Sequence, residues 1–143
     1  MRRIVATAGA IAVAGLGFVG PAGAAVEVHP DLAGHLEFMV EEERLAHELY
    51  TLFDNEYPEA SIFASIARSE ERHMEAVARQ LDLRGLDDPG EGLKPGDYAV
   101  DELDELYATW SAQGLEGVEA ALQVGIDLEE ADIADLEEAL GDP

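Results

Sequence analysis

Apolar residues recur every three or four positions along most of this chain, which is the pattern of amphipathic helices. The pattern predicts one long helix from Asp31 to about Asp54 and a second from Glu59 to about Leu83. After a loop rich in Gly and Pro at 84–99, it predicts a short helix from Asp101 to Gln113 and a third long helix from Leu115 to Leu140. No stretch alternates as a strand does. The sequence therefore predicts an all-α fold, most simply a helical bundle.

Each long helix carries an ionisable residue in the middle of the apolar face that we expect to be buried. The predicted faces are Leu32, Leu36, Met39, Glu43, Ala46, Tyr50 and Phe53; then Phe63, Ile66, Glu70, His73 and Val77; then Leu115, Val118, Leu122, Ile126, Glu129, Ile133, Leu136 and Leu140. A buried carboxylate is unstable without a partner. Because the arginines fall off these faces, a bound metal cation is the simplest partner.

The spacing of these residues suits a metal site built from several helices. Glu70 and His73 are three residues apart, so both side chains can reach one ion. A Glu-x-x-His pair joined by single inward glutamates from neighbouring helices is the pattern of di-iron carboxylate bundles. The predicted ligands are Glu43, Glu70, His73 and Glu129. Tyr50 is predicted to be a core residue that can hydrogen-bond a ligand, and His47, beside the face, is a further candidate ligand.

The charge balance removes several classes of function. The 143 residues include 32 Asp and Glu against 8 Lys and Arg, a formal net charge of −24. Nucleic acids and anionic membrane surfaces are therefore unlikely partners, since both require clustered cations. Cysteine is absent, which excludes disulfides, thiolate nucleophiles and iron–sulfur clusters. The remaining carboxylate and imidazole ligands favour iron, with manganese as a second choice.

The N-terminus has the three parts of a secretory signal peptide. Arg2 and Arg3 precede an uncharged apolar run from Ile4 to Gly20, and small residues follow up to Ala24. We therefore predict a signal peptide at residues 1–24 and one exported domain at residues 25–143, secreted or periplasmic and free of the membrane after cleavage. An uncleaved N-terminal anchor is the alternative.

Three segments resemble rubrerythrin-type proteins: Glu43–Tyr50 is similar to their first helix, Ile66–His73 to their second, and Ala121–Glu129 to the approach to their third-helix glutamate. The stretches Glu41–Tyr50, Ser69–His73 and Gly125–Leu136 are more similar still to a ferritin-like family, domain of unknown function 2202. The resemblance implies the ferritin-like fold. It also implies a di-iron site at Glu43, Glu70, His73 and Glu129, with oxygen or peroxide oxidising Fe(II).

One departure from those families affects the predicted site. They continue into a fourth long helix with a second histidine ligand, whereas here no histidine follows His73. We therefore expect three long helices and one short helix without that fourth long helix. Three explanations stay open: a truncated chain, a homodimer in which the second protomer supplies the missing helix, or a site that binds a single ion firmly.

The sequence thus favours an exported ferritin-like protein that binds iron and oxidises or handles it, with no catalytic residues beyond the metal ligands. Whether it is an enzyme is left open. The alternative is a non-catalytic acidic module that binds cations or a basic partner. A third reading is a structural module whose core glutamates are protonated, and it predicts higher stability at lower pH.

Overall fold

A computed structural model describes the backbone of residues 30–140 and the side chains of residues 32–135. This part of the chain forms four helices and no strand, which confirms the predicted all-α class and the three long helices with one short one. The helices are α1 (Pro30–Glu56), α2 (Ile62–Asp82), α3 (Asp101–Gly114) and α4 (Val118–Leu140). None of the helices described could cross a membrane, because none is long and apolar enough. The predicted signal peptide, residues 1–24, lies outside the described residues.

Two helices begin three residues later than predicted. Residues 57–61 form a turn before α2, in which the Ala60 N–H donates to the Tyr57 carbonyl at 2.9 Å. Residues 115–117 separate α3 from α4, and there the Leu115 N–H donates to the Ser111 carbonyl at 3.0 Å. The apolar spacing continues through both turns, which is why the pattern alone extended the helices across them.

The first helix is central, because it packs along α2 on one side and against α3 and α4 on another. Four residues of its predicted face are buried: Leu36, Ala46, Tyr50 and Phe53. A second row is buried as well: Val40, Leu45 and Leu49. A helix covered on two sides buries more than one apolar stripe. On α2 the buried residues are Phe63, Ala67, Glu70, Val77 and Leu81.

The predicted buried face of α4 is wrong. Its aliphatic side chains Leu122, Ile126 and Ile133 are 42, 52 and 56% exposed. The residues that are buried instead are Ala121, Val124, Gly125 and Leu128. Small residues decide the contact, because a Cβ added at Gly125 would lie only 3.2 Å from the Tyr50 hydroxyl. The helix therefore turns the side that contains Ala121 and Gly125 toward the core and leaves Leu122, Ile126 and Ile133 outside.

Two carboxylates of α1 hold the long loop that joins α2 to α3. The side chain of Glu41 is fully buried; it accepts a hydrogen bond from the Ala99 N–H at 2.6 Å and pairs with the Arg44 guanidinium. The same guanidinium donates to both carboxylate oxygens of Asp88 at 2.9 Å.

Glu48, two turns further along α1, anchors the end of the loop. One of its oxygens accepts from the Tyr98 hydroxyl at 2.6 Å and from the Gly96 N–H at 2.8 Å. Two carboxylates on one helix thus anchor the Gly- and Pro-rich loop, in addition to the apolar contacts of its Tyr98 and Leu86.

We expect Gly114→Ala to destabilise the protein by about 1–3 kcal/mol, because overpacking strains a filled core. A Cβ at Gly114 would lie 2.2 Å from the ring of Phe53, which is fully buried. Gly34→Ala is the control: nothing lies within 4 Å of its added Cβ, so helix propensity should raise stability by roughly 0.5–1 kcal/mol. Urea unfolding of both variants measures the difference. Equal effects would contradict the described packing of α3 on α1.

Candidate metal centre

Three of the four predicted ligands lie together. Glu43, Glu70 and His73 each offer one ligand atom, and these atoms all lie within 4.8 Å of one another. The His73 Nδ1 is 3.1 Å from the Glu70 Oε2 and 3.4 Å from the Glu43 Oε2. The three-residue spacing of Glu70 and His73 places both on one side of α2, and α1 supplies Glu43 from the helix packed against it. We call these three residues the metal group.

The metal group runs from the interior to the surface. The side chain of Glu70 is 7% exposed and that of Glu43 is 21% exposed, whereas that of His73 is 55% exposed. Burial of His73 was predicted and is wrong. Within the described range α4 does not pack against α2, which is consistent with the exposure of His73. The two carboxylates are thus withdrawn from water while the imidazole stays accessible to an ion arriving from solvent.

One carboxylate oxygen of the metal group accepts no hydrogen bond from the described part of the chain, although the His73 Nδ1 lies 3.4 Å from it. The Oε2 of Glu43 is buried without a hydrogen bond from any described residue. Elsewhere on α1, by contrast, Glu41 and Glu48 each accept hydrogen bonds from the loop. An unpaired buried acceptor costs about 1–3 kcal/mol, and more if it is charged. A divalent cation would remove this cost, so the residues present fit a metal ion.

Withdrawal from water also raises the proton affinity of Glu43. Burial raises the pKa of Glu43 to about 8, and the neighbouring Glu70 carboxyl adds to the rise. The charges of Asp132 and Glu129 act in the same direction. Metal-free protein therefore holds a proton on Glu43 at neutral pH. A metal ion that binds there must displace it.

The fourth helix adds a carboxylate that the sequence analysis missed. Burial, together with the charges of Glu129 and Glu70, raises the pKa of Asp132 to about 7. The charge of Glu70 on α2 therefore acts on Asp132 on α4, although these two helices do not pack against each other. The signal was present in the sequence, because Glu129 and Asp132 have the same three-residue spacing as Glu70 and His73.

Glu129, the fourth predicted ligand, lies outside the metal group. Its side chain is exposed, and its Oε1 accepts a hydrogen bond from the Tyr50 hydroxyl at 2.8 Å. The same hydroxyl lies 3.2 Å from the Gly125 carbonyl. Burial and the bond to Glu129 raise the pKa of Tyr50, so the phenol stays protonated and remains a donor. Tyr50 thus fixes one oxygen of Glu129 close to the metal group.

A small cavity of about 30 Å³ adjoins the metal group, which is room for one water or one ion. Its lining is formed by His35, Met39, Glu42, Glu43, Asp132 and Asp135. Burial raises the pKa of Glu42 to about 9, and a hydrogen bond shared with Asp135 adds to the rise. Glutamate runs are usually solvated, so no sequence signal indicates that Glu42 is withdrawn from water.

His47, the further candidate from the sequence, has a different contact. Its Nδ1–H donates to the Ala67 carbonyl at 2.9 Å. This bond ties α1 to α2, and His47 is not part of the metal group.

The chain belongs to the family described as "Uncharacterized protein domain (DUF2202)", which matches residues 33–142. It is similar to the uncharacterized protein MJ0754 of Methanocaldococcus jannaschii, with 37% identity over 99 residues. That match covers 69% of this chain and 53% of the relative, so the chain spans about half the length of the curated relative it matches. No solved structure matches the chain.

We expect the metal-free protein to be less stable at pH 8 than at pH 5. In the unfolded chain these carboxyls titrate near their usual pKa of about 4, whereas folding raises those of Asp132, Glu43 and Glu42 to about 7, 8 and 9. The folded state therefore holds protons that the unfolded chain has released, and stability falls as pH rises through this window.

Thermal unfolding of chelator-treated protein across pH 5 to 8 measures this slope. Glu43→Gln should flatten it, while Glu71→Gln, at an exposed position of α2, should leave it unchanged. If both substitutions change the slope equally, general charge repulsion is its cause and the described burial of Glu43 is not.

Proposed function

We propose that this chain is an exported, ferritin-like iron-binding protein that uses the metal group for oxidation of Fe(II) by oxygen or peroxide. One observation carries the proposal: the buried Oε2 of Glu43, which accepts no hydrogen bond from a described residue, lies beside Glu70 and His73. In a structural site the chain would supply donors to that oxygen, as it does for Glu41. Here it supplies two further metal-ligating side chains instead.

The ligand chemistry favours iron. Carboxylate oxygens and an imidazole suit iron or manganese, and the chain has no sulfur ligand from cysteine that would select copper(I) or an iron–sulfur cluster. Iron bound there would supply a one-electron couple between Fe(II) and Fe(III).

Each residue of the site has a defined task. Glu43 and Glu70 provide negative charge in a partly dehydrated setting, where attraction for a cation is strong. His73 provides a neutral nitrogen at the solvent side, where an ion or small oxidant arrives. Tyr50 holds Glu129 in place, and Asp132 adds charge from α4.

Three ligating side chains from the described residues support one tightly held ion per chain. A second ion would use Glu129 and Asp132, which reach the same region from α4. We therefore propose one iron ion per chain at the metal group, and a second ion only if Glu129 and Asp132 bind it.

We expect anaerobic titration of the metal-free protein with Fe(II) to show one tight site per chain. Glu70→Gln keeps the size of the side chain but removes its charge, so the affinity should fall by at least about tenfold. Glu71→Gln is the matched control, since Glu71 is exposed and outside the metal group. Many weak sites that Glu70→Gln leaves unchanged would favour a non-catalytic acidic module instead.

Oxidation should depend on the same residues. We expect the protein to accelerate the loss of Fe(II) in air or with added peroxide, and we expect the double variant Glu70→Ala, His73→Ala to return the rate to that of buffer. The loss follows because both removed side chains project from α2 onto the same ion. Unchanged oxidation by the double variant, with folding checked by circular dichroism, would exclude the metal group as the reaction site.

A further inference from the structure

The exposed side of α4 carries a stripe with the spacing of a helix-packing seam. Its residues are Leu122, Ile126, Glu129 and Ile133, separated by four, three and four positions, and all are exposed. In sequence the same spacing continues to Leu136 and Leu140. Apolar residues that alternate three and four apart are typical of positions that pack against another helix. We call Leu122, Ile126, Glu129 and Ile133 the α4 stripe.

No described helix covers the α4 stripe. The contacts of α4 are with α3 and, more lightly, with α1, and both lie on its small-residue side. Single exposed aliphatic residues are ordinary on protein surfaces, but an aligned row of them marks an interaction site. The spacing indicates that the element which would cover the α4 stripe is a helix.

Charge identifies the kind of helix that fits. Residues 101–143 contain neither Lys nor Arg. The α4 stripe itself includes Glu129, and the exposed residues Glu119 and Glu130 flank it. A helix packed there would remove water from these carboxylates, so it must bring cations. A second α4 would bring more carboxylates and is disfavoured.

The chain carries a suitable helix face on α2. Ser65, Arg72, Ala76 and Arg79 are exposed and lie on one side of that helix, away from its buried residues. Arg72 makes no ion pair with any described residue. The small residues allow close approach of another helix, and the arginines can meet acidic flanks. We call Ser65, Arg72, Ala76 and Arg79 the α2 face.

We propose that the α4 stripe docks on the α2 face of a second copy of this chain. The two helices have similar lengths, 23 and 21 residues. Each copy offers both surfaces, and a two-fold axis that sets each α4 stripe on the partner's α2 face would close the assembly as a dimer with two identical contacts. The proposal does not depend on iron binding, and metal-free protein tests it.

Sedimentation equilibrium of the metal-free protein measures the association. We expect a dimer whose dissociation constant rises at least about tenfold in Ile126→Glu, which places a charge in the α4 stripe, and in Arg72→Glu, which reverses the charge of the α2 face. Leu93→Glu is the matched control, because Leu93 is 44% exposed in the loop and lies on neither surface. Glu70→Gln should also leave the dimer unchanged.

Mixing the two variants tests the pairing itself. A heterodimer of Ile126→Glu with Arg72→Glu has one intact α4–α2 contact, so the mixture should associate more tightly than either variant alone. A monomer at every concentration would overturn the proposal and leave the stripe to a cationic helix of another protein. A dimer weakened by Ile126→Glu but not by Arg72→Glu would overturn the α2 pairing in favour of α4 against α4.

Discussion

A carboxylate that leaves water must find hydrogen-bond donors, a cation or a proton, and this requirement organises the structure around α1. Glu41 and Glu48 find donors in the loop between α2 and α3, and so they hold that loop on the helix. Glu43 lies between them on the same helix but has α2 and α4 beside it instead of the loop. Glutamate therefore has a structural role at positions 41 and 48, whereas Glu43 has a buried oxygen without a hydrogen-bond donor among the described residues.

The scarcity of cationic side chains explains why no described arginine or lysine pairs with Glu43. The chain has 8 Lys and Arg for 32 acidic residues, and Arg44 is already shared between Glu41 and Asp88. No described residue brings a guanidinium or ammonium to Glu43. In the metal-free protein a proton on Glu43 neutralises this carboxylate, in line with its raised pKa. Binding of a metal ion replaces that proton with a partner of higher charge, which is how a site of this kind can be stable both empty and filled.

Local periodicity was sufficient for the helices and for the metal group. It placed Glu43, Glu70 and His73 correctly because α1 and α2 form a hairpin whose facing sides are set by apolar spacing. It failed on α4, where Leu122, Ile126 and Ile133 face outward. The contact with α1 there includes Gly125 close to Tyr50, and apolar spacing gives a glycine no weight. The partner of Glu41, the Ala99 N–H, is 58 positions away in the chain and leaves no local trace.

Glu129 belongs to the α4 stripe and also lies near the metal group, whereas the sequence pattern predicted a single buried ligand. Spacing put it on a buried stripe and resemblance made it a ligand, but in the structure it is an exposed member of the α4 stripe whose oxygen is held by Tyr50. Any helix that covers the stripe would remove water from this carboxylate. Glu129 must then find a cation, which an ion bound at the metal group or an arginine of the covering helix would supply. Association and metal binding would thus compete for, or share, one side chain, and its exposure in the single chain is the reason that both remain open to it.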